Sequence, residues 1–158
     1  KLSAITICAI NGGAIGGGMS LTLACDFRII RKDTYFYVPE VKLGITLGWH
    51  TIKKLFLLIG MSRLKRIVIL SEKVFFQDLL DWGLADELDE DPLELSLKWS
   101  ERLLAIPENG QKMALESIKL LENLNTYDSY NEIDKVLLTL NYKDSKKYIK
   151  KYINTFKK

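Results

Sequence analysis

The sequence predicts an α/β fold, and three observations predict it. Residues 4–10 form an apolar, β-branched run, "AITICAI", which is typical of a strand buried on both faces. A glycine-rich loop, "NGGAIGGG", follows directly. Beyond Gly48, apolar residues recur at spacings of three and four, as they do on amphipathic helices. We therefore expect a sheet covered by a helical layer.

The elements after the loop are expected in the order helix, strand, strand and then helices. A short helix is predicted over residues 19–25, and strands over residues 27–30 and 35–38, separated by the turn-like "RKDT". Helices are predicted over residues 51–60, 62–70 and 75–83, with Gly60 and Gly83 as stop signals. Three more are predicted over residues 93–106, 109–124 and 129–140. Pro107 fits the end of one, and Asp128 could cap another.

Composition and charge narrow the class of protein. Of the 158 residues, 47% are apolar and 27% are charged, which is typical of a globular domain. No apolar run reaches the ~18 residues of a membrane span, so a cytoplasmic location is expected, or an organelle matrix if a targeting segment has been lost. Because the chain begins at Lys1 and enters an apolar run almost at once, we expect a fragment or a processed chain. Cys8 and Cys25 lack CxxC spacing, which favours buried free thiols, and no metal site is predicted.

Positive charge is concentrated at the C-terminal end. Residues 141–158 hold seven lysines and one aspartate. Helical spacing of the apolar and aromatic residues favours an amphipathic helix with a solvated lysine face. These residues are Tyr148, Ile149, Tyr152, Ile153 and Phe156. A surface for phosphate or nucleic acid is the alternative, since lysines beside aromatic rings suit both.

The glycine-rich loop is a candidate binding site. It does not fit G-x-G-x-x-G, and Met19 stands where a phosphate loop needs lysine. The first N–H groups of a helix lack intrahelical partners and carry partial positive charge. If Gly16, Gly17 and Gly18 let a ligand carbonyl approach the backbone, an enolate could be stabilised there. A tight turn that only packs a strand against a helix is the structural alternative.

Four segments, in this order, resemble those of one known family. The segments "AITICAINGGAIGGGMSLTLACDFRI", "FYVPEVKLGI", "GMSRLKRIVIL" and "DWGLADEL" resemble the crotonase superfamily, which contains the enoyl-CoA hydratases and isomerases. The resemblance implies a spiral of ββα turns whose N-terminal part is absent here. It implies that residues 1–90 are the C-terminal part of the spiral core and that residues 91–158 form a helical, oligomerising region. It also implies a homotrimer or hexamer and an acyl-CoA substrate that carries its own coenzyme A, with no further cofactor. No membrane partner is expected, and nucleic acid is a less favoured partner than acyl-CoA.

The resemblance also assigns roles to residues of the loop. Gly17 would donate its N–H to the thioester oxygen, flanked by Gly16 and Gly18, and a second donor would lie in the N-terminal part. Hydratases of the family carry one glutamate two residues after the triplet, where this chain has Ser20, and a second after a proline, where it has Glu40. A serine hydroxyl is too weak an acid to replace a carboxyl group near neutral pH. Isomerisation with Glu40 as the single base is therefore favoured. Hydration, other enolate chemistry and a catalytically silent paralogue that binds acyl-CoA or RNA are the alternatives.

The segment after Glu40 departs from the family pattern. The chain reads "LGITLGWHTIKKL", so Leu47 replaces a proline, and His50 and Thr51 replace two glycines. Trp49 is expected to line the pocket or to lie in the core. His50, the single histidine, would suit a proton carrier or a substrate hydrogen bond, with a structural role as the alternative.

Three further expectations concern residues around the predicted strands. Pro39 biases Val38 toward extended geometry, which places Glu40 where an apolar strand meets the pocket. Desolvation there should raise the pKa of Glu40. Asp26 is interpreted as structural and Cys25 as a core residue.

Overall fold

The computed structural model describes residues 4–124, 136–137 and 139–155. This part of the chain contains two three-stranded sheets. The strands are β1 (Ile7–Ile10), β2 (Gly13–Ile15), β3 (Phe27–Ile30), β4 (Tyr35–Tyr37), β5 (Val74–Phe75) and β6 (Glu87–Leu88). The helices are α1 (Gly17–Ala24), α2 (Thr51–Val68), α3 (Phe76–Asp81), α4 (Pro92–Leu104), α5 (Glu108–Leu124) and α6 (Lys143–Thr155). A short 3₁₀ helix spans Glu40–Leu43.

Strand pairing confirms the predicted α/β class. One sheet has the order β1-β3-β6 and is parallel throughout, with Ile7 opposite Phe27. The other has the order β2-β4-β5, with β2 parallel and β5 antiparallel to β4. Parallel neighbours need a crossover, and α1 lies in the connection from β1 to β3.

The strand predictions need two corrections. The strand predicted over residues 4–10 begins at Ile7, and of its four residues only Ile10 is buried, so the expectation of burial on both faces is wrong. In the described residues β1 lies at the edge of its sheet, which leaves it partly exposed. The glycine-rich loop also contains a strand, β2, which the sequence analysis missed because three residues between glycines carry no readable periodicity.

The helix predictions hold with shifted ends. Helix α1 begins at Gly17, two residues earlier than predicted. Helix α2 is interrupted at Gly60, where φ is 70° and ψ is 174°. These angles are not helical, so Gly60 separates two helical segments at a kink, as its interpretation as a stop signal predicted. Helix α4 is capped by the Asp91 side chain, which accepts from the N–H groups of Leu93 and Glu94.

The predictions at the C-terminal end are tested only in part. The helix predicted over residues 129–140 and its cap Asp128 lie largely outside the described residues. The terminal helix is present as α6, on which Tyr148 and Ile153 are exposed, whereas Phe156 lies outside the described residues.

A buried apolar cluster lies between the sheets and helices α1 and α2. Its fully enclosed members include Met19, Ile30, Phe36, Val38 and Leu55. Burying a large apolar side chain stabilises the fold by about 1.5–3 kcal/mol. Ala14 of the glycine-rich loop belongs to this cluster, so the cluster helps to hold the loop in place.

Polar contacts hold the start of β3. Asp26 accepts from the N–H and the hydroxyl of Thr6, both at 2.7 Å, which confirms its structural interpretation. The buried Arg28 guanidinium donates to the carbonyl oxygens of Leu84 and Cys25, each at 2.8 Å, and lies 3.5 Å from the Asp86 carboxylate. These bonds satisfy a charge that would otherwise destabilise the fold.

The two cysteines are free but less buried than expected. Both Cys8 and Cys25 are only partly buried, so the core interpretation of Cys25 is wrong. Burial, followed by the neighbouring Cys25, raises the pKa of the Cys8 thiol to about 11, which keeps it protonated and unreactive near neutral pH.

Within the described residues, every helix is too short or too polar to cross a bilayer.

Candidate active site

The glycine-rich loop turns sharply between β2 and α1. Gly16 has φ 53° and ψ −119°, a conformation open to glycine and strained for residues with a Cβ. Its N–H donates to the carbonyl oxygen of Tyr37 at 2.8 Å, which ties the loop to β4. The helix therefore begins at Gly17 in a fixed position relative to the strand that leads to Glu40.

The N–H groups of Gly17 and Gly18 find no acceptor among the described residues. They belong to the first turn of α1, where intrahelical acceptors are lacking and the helix carries partial positive charge. Gly17 is half-buried and Gly18 is exposed. The helix start can therefore hold a carbonyl oxygen that develops negative charge.

The three glycines of the triplet meet different neighbours. A Cβ on Gly16 would collide with Oε1 of Glu40, and a Cβ on Gly17 would come within 2.9 Å of Cζ3 of Trp49. A Cβ on Gly18 would meet open space. Close approach therefore explains glycine at the first two positions and leaves the third unexplained by packing.

Glu40 lies beside this helix start. It is the first residue of the 3₁₀ helix that follows β4, and the two residues before it, Val38 and Pro39, are buried. Its Oε1 lies against the Cα of Gly16, and its Oε2 is buried without a hydrogen-bond partner among the described residues. The structure thus brings together Glu40 and the glycine triplet, as predicted.

The surroundings of Glu40 set its ionisation. Burial raises the pKa of its carboxyl group above the ordinary value, and a bond from its own backbone N–H opposes that change in part. A poorly solvated carboxylate with a raised pKa is a stronger base than one in water. Together with the helix start, Glu40 can take a proton from a carbon next to a bound carbonyl group.

Helix α6 supports the turn that carries Glu40. The Glu40 carbonyl oxygen accepts from the N–H of Ile45 at 3.0 Å, and Gly44 between them has φ 71°. The buried Ser145 hydroxyl donates to the Gly44 carbonyl oxygen at 2.6 Å. The sequence analysis missed Ser145, because no local pattern reports a contact between residues 101 positions apart.

Ser20 lies on the buried side of α1 with partners in the protein. Its hydroxyl oxygen is 2.7 Å from that of Thr51, which lies 2.7 Å from the Gly48 carbonyl oxygen. The bond from Ser20 to the Gly16 carbonyl oxygen is longer, at 3.4 Å. These contacts link α1 to the start of α2, and the role of Ser20 as a substrate contact stays a prediction.

Trp49 and His50 form the centre of a tight turn before α2. The Thr51 N–H donates to the Gly48 carbonyl oxygen at 3.2 Å, and φ is 57° at Trp49 and 58° at His50. Left-handed geometry at residues other than glycine costs on the order of 1–3 kcal/mol each. Such strain often marks functional sites.

The turn exposes both side chains. Trp49 is 67% exposed, so its interpretation as a core residue is wrong. Its ring lies against Gly17, which is compatible with the alternative interpretation as a residue that lines the pocket. His50 is exposed at the position that precedes α2, and its role stays a prediction.

A separate groove lies between the start of β1 and helices α4 and α5. Its volume is about 870 Å³, and it is mainly apolar. Residues that line it include Ile5, Ile7, Leu97, Leu104, Ile106 and Leu115. It does not reach Gly17 or Glu40, so it is distinct from the candidate active site.

The start of α1 has N–H groups without an acceptor among the described residues, and a desolvated carboxylate lies beside it. In this α/β fold, such an arrangement is suited to enolate chemistry. A family model described as enoyl-CoA hydratase/isomerase matches residues 1–158. The chain belongs to the enoyl-CoA hydratase/isomerase family, within the crotonase superfamily. The predicted family is confirmed.

Two curated relatives show what the chain is similar to. It is 37% identical over 89 residues to the short-chain-enoyl-CoA hydratase of Clostridium acetobutylicum, covering 56% of this chain and 34% of the relative. It is 35% identical over 121 residues to the enoyl-CoA isomerase/hydratase fer4 of Mycosarcoma maydis, covering 76% of this chain and 43% of the relative. The chain therefore spans between a third and a half of the length of these relatives.

A solved structure confirms the predicted fold. The crystal structure of carnitinyl-CoA hydratase from Mycobacterium avium superposes with a TM-score of 0.89 at 24% sequence identity, over 98% of this chain and 62% of that chain. The fold is therefore crotonase-like.

Proposed function

We propose that this chain carries the catalytic base of an acyl-CoA enzyme that moves a double bond from C3 to C2 of an enoyl thioester. The proposal depends on the Glu40 carboxylate: its Oε1 lies against Gly16, the residue before Gly17, and its Oε2 is buried. Neither this Oε2 nor the N–H of Gly17 has a partner among the described residues. One base and one oxyanion donor supply the main requirements of such a proton transfer.

The residues act on the substrate in two steps. The Glu40 carboxylate removes the proton at C2, and the electron pair of the C–H bond moves into the thioester to form a dienolate. The N–H of Gly17 donates to its oxygen, an interaction often worth about 3–4 kcal/mol. Glu40 then returns the proton to C4, so the double bond lies between C2 and C3 and the carboxylate is regenerated.

Ser20 makes a single-base reaction the better supported candidate. It stands where hydratases of the family carry their other glutamate, and its hydroxyl is held by Thr51. Hydration adds a water oxygen at C3 and a proton at C2, work normally shared between two carboxylates. The described residues offer Glu40 alone at the helix start.

Hydration of a 2-enoyl thioester is the second candidate. The name of the Clostridium relative favours it, because that protein is a hydratase. In this chain hydration would need another group, such as His50 or a residue elsewhere in the protein, to position the water.

The experiment that separates the candidates uses two substrates. The purified protein is incubated with a 3-enoyl-CoA and, separately, with a 2-enoyl-CoA, and the isomerised and hydrated products are quantified. Isomerisation of the 3-enoyl substrate without hydrated product supports the first candidate. Hydrated product from the 2-enoyl substrate supports the second, and binding of both without turnover supports a silent paralogue.

We also propose that the protein forms a homotrimer or hexamer. Helices α4 and α5 expose large apolar side chains that a neighbouring subunit would remove from water. Examples are Leu97, Leu104, Met113, Leu120 and Leu121. Light scattering coupled to size exclusion would give the mass of the particle, and a monomer would contradict the proposal.

A further inference from the structure

Trp49 lies against Gly17 at the start of α1. Its Cζ3 and Cη2 atoms stand 2.9 Å and 3.3 Å from the position of a Cβ on Gly17. Two-thirds of its surface is nevertheless exposed, so burial does not explain its presence. The ring forms a wall against the half-buried Gly17.

A strained turn holds the ring in this place. Trp49 and His50 are both left-handed, which neither side chain favours. The N–H and the hydroxyl of Thr51 both point at the Gly48 carbonyl oxygen, at 3.2 Å and 2.7 Å, and close the turn. Because Thr51 is fully buried, the end of the turn that leads into α2 is fixed in the protein interior.

Glu40 and Trp49 contact the two ends of the same peptide group. The Glu40 carboxylate covers the Cα of Gly16, and the Trp49 ring covers the Cα of Gly17. Neighbouring Cα atoms lie about 3.8 Å apart, and the N–H of Gly17 lies between them. A ligand that accepts from this N–H therefore lies close to both a carboxylate and an indole ring.

We propose that Trp49 determines specificity by narrowing this space to a slot. The slot admits acyl-CoA thioesters whose acyl chain is unbranched at C2. It excludes those whose acyl chain carries a branch at C2. A dienolate is planar at C2, so the same wall fits the reacting form of the substrate. This inference rests on the proposed function, since it assumes that the carbonyl group belongs to an acyl-CoA.

Binding of two saturated thioesters tests the slot without any turnover. Butyryl-CoA and isobutyryl-CoA contain the same atoms and differ by a branch at C2. Their dissociation constants are measured by titration calorimetry for the wild-type protein, Trp49→Ala and Trp49→Phe. The Trp99→Phe variant is the matched control, because Trp99 packs against Phe27, away from the site.

We expect the wild-type protein and Trp99→Phe to prefer butyryl-CoA at least tenfold. In Trp49→Ala the preference for butyryl-CoA should fall to threefold or less, and in Trp49→Phe it should lie between those of the wild type and Trp49→Ala. The Trp49→Phe variant keeps an aromatic ring, so it tests the slot even if Trp49→Ala folds poorly. An equal preference in wild type and both Trp49 variants, or no preference in wild type, would overturn the slot but leave acyl-CoA binding intact. Failure of the wild-type protein to bind either thioester would overturn the proposed function as well.

Discussion

The Glu40 carboxylate occupies the space in which a side chain on Gly16 would begin. This contact joins the turn after β4 to the start of α1, and it sets the candidate base beside the candidate oxyanion donor. It also links the glycine requirement of the loop to the chemistry of the site.

Alanine at the two ends of the triplet should have different effects on stability. Gly16→Ala forces a Cβ into left-handed geometry and into Glu40, so we expect it to lower the free energy of unfolding by at least about 1–3 kcal/mol. Gly18→Ala meets open space in a helix, so its effect should be neutral or stabilising by up to ~1 kcal/mol. Urea unfolding of both variants measures the difference. Equal destabilisation would show that the described geometry of the loop is wrong.

Activity should be lost on acidification at a pH above the ordinary carboxyl range. Glu40 acts as a base only when ionised, and burial raises its pKa. The logarithm of kcat/KM should therefore fall as pH decreases through a value above ~4.3, the usual pKa of glutamate. The His50→Asn variant is the control, because it removes the single histidine of the chain. If the acidic limb disappears in His50→Asn, Glu40 is not its origin.

The same burial predicts how stability depends on pH. A raised pKa means that the folded state favours the protonated carboxyl group, so its contribution to stability falls as pH rises from the unfolded pKa through the folded one. Glu40→Gln removes this penalty and should have the higher Tm at pH 7 to 8. The difference in Tm between Glu40→Gln and the wild-type protein should decrease as the pH approaches 4. A difference in Tm that does not change with pH would contradict a desolvated Glu40 carboxylate.

Ser20 should matter more for stability than for turnover. Ser20→Ala and Thr51→Val both remove the buried hydrogen bond between these two residues, so each should lower the free energy of unfolding by at least about 1 kcal/mol. Thr51→Val also removes the bond to the Gly48 carbonyl oxygen. The double variant should lose less than the sum, because both changes break the same bond. We expect kcat/KM of Ser20→Ala to stay within a few-fold of wild type. A hundredfold loss with unchanged stability would instead establish a contact with the substrate.

Sequence patterns predicted the parts of this fold that depend on long or chemically distinctive segments. The strand over residues 27–30 has the predicted bounds, and the segment resemblance correctly placed Glu40 beside the glycine triplet. The short strands β2, β5 and β6 were missed, because two or three residues have no measurable period and their pairing depends on distant partners.

Long-range contacts account for the remaining differences. The bond from Ser145 to Gly44 has no signal in either segment taken alone. Of the two places predicted for Trp49, the core was wrong. The left-handed turn that exposes its side chain has no glycine at its centre, so the sequence carries no local signal for that turn.

Turnover of a 3-enoyl-CoA by Glu40→Gln and Glu40→Asp, compared with wild type, tests the central claim most directly. Glutamine keeps the shape of the side chain but cannot take up the proton, so we expect kcat/KM to fall by about 10²–10⁴-fold. Aspartate should retain partial activity, since it keeps the carboxylate on a shorter side chain. Isomerisation by Glu40→Gln at the wild-type rate would show that another group is the base.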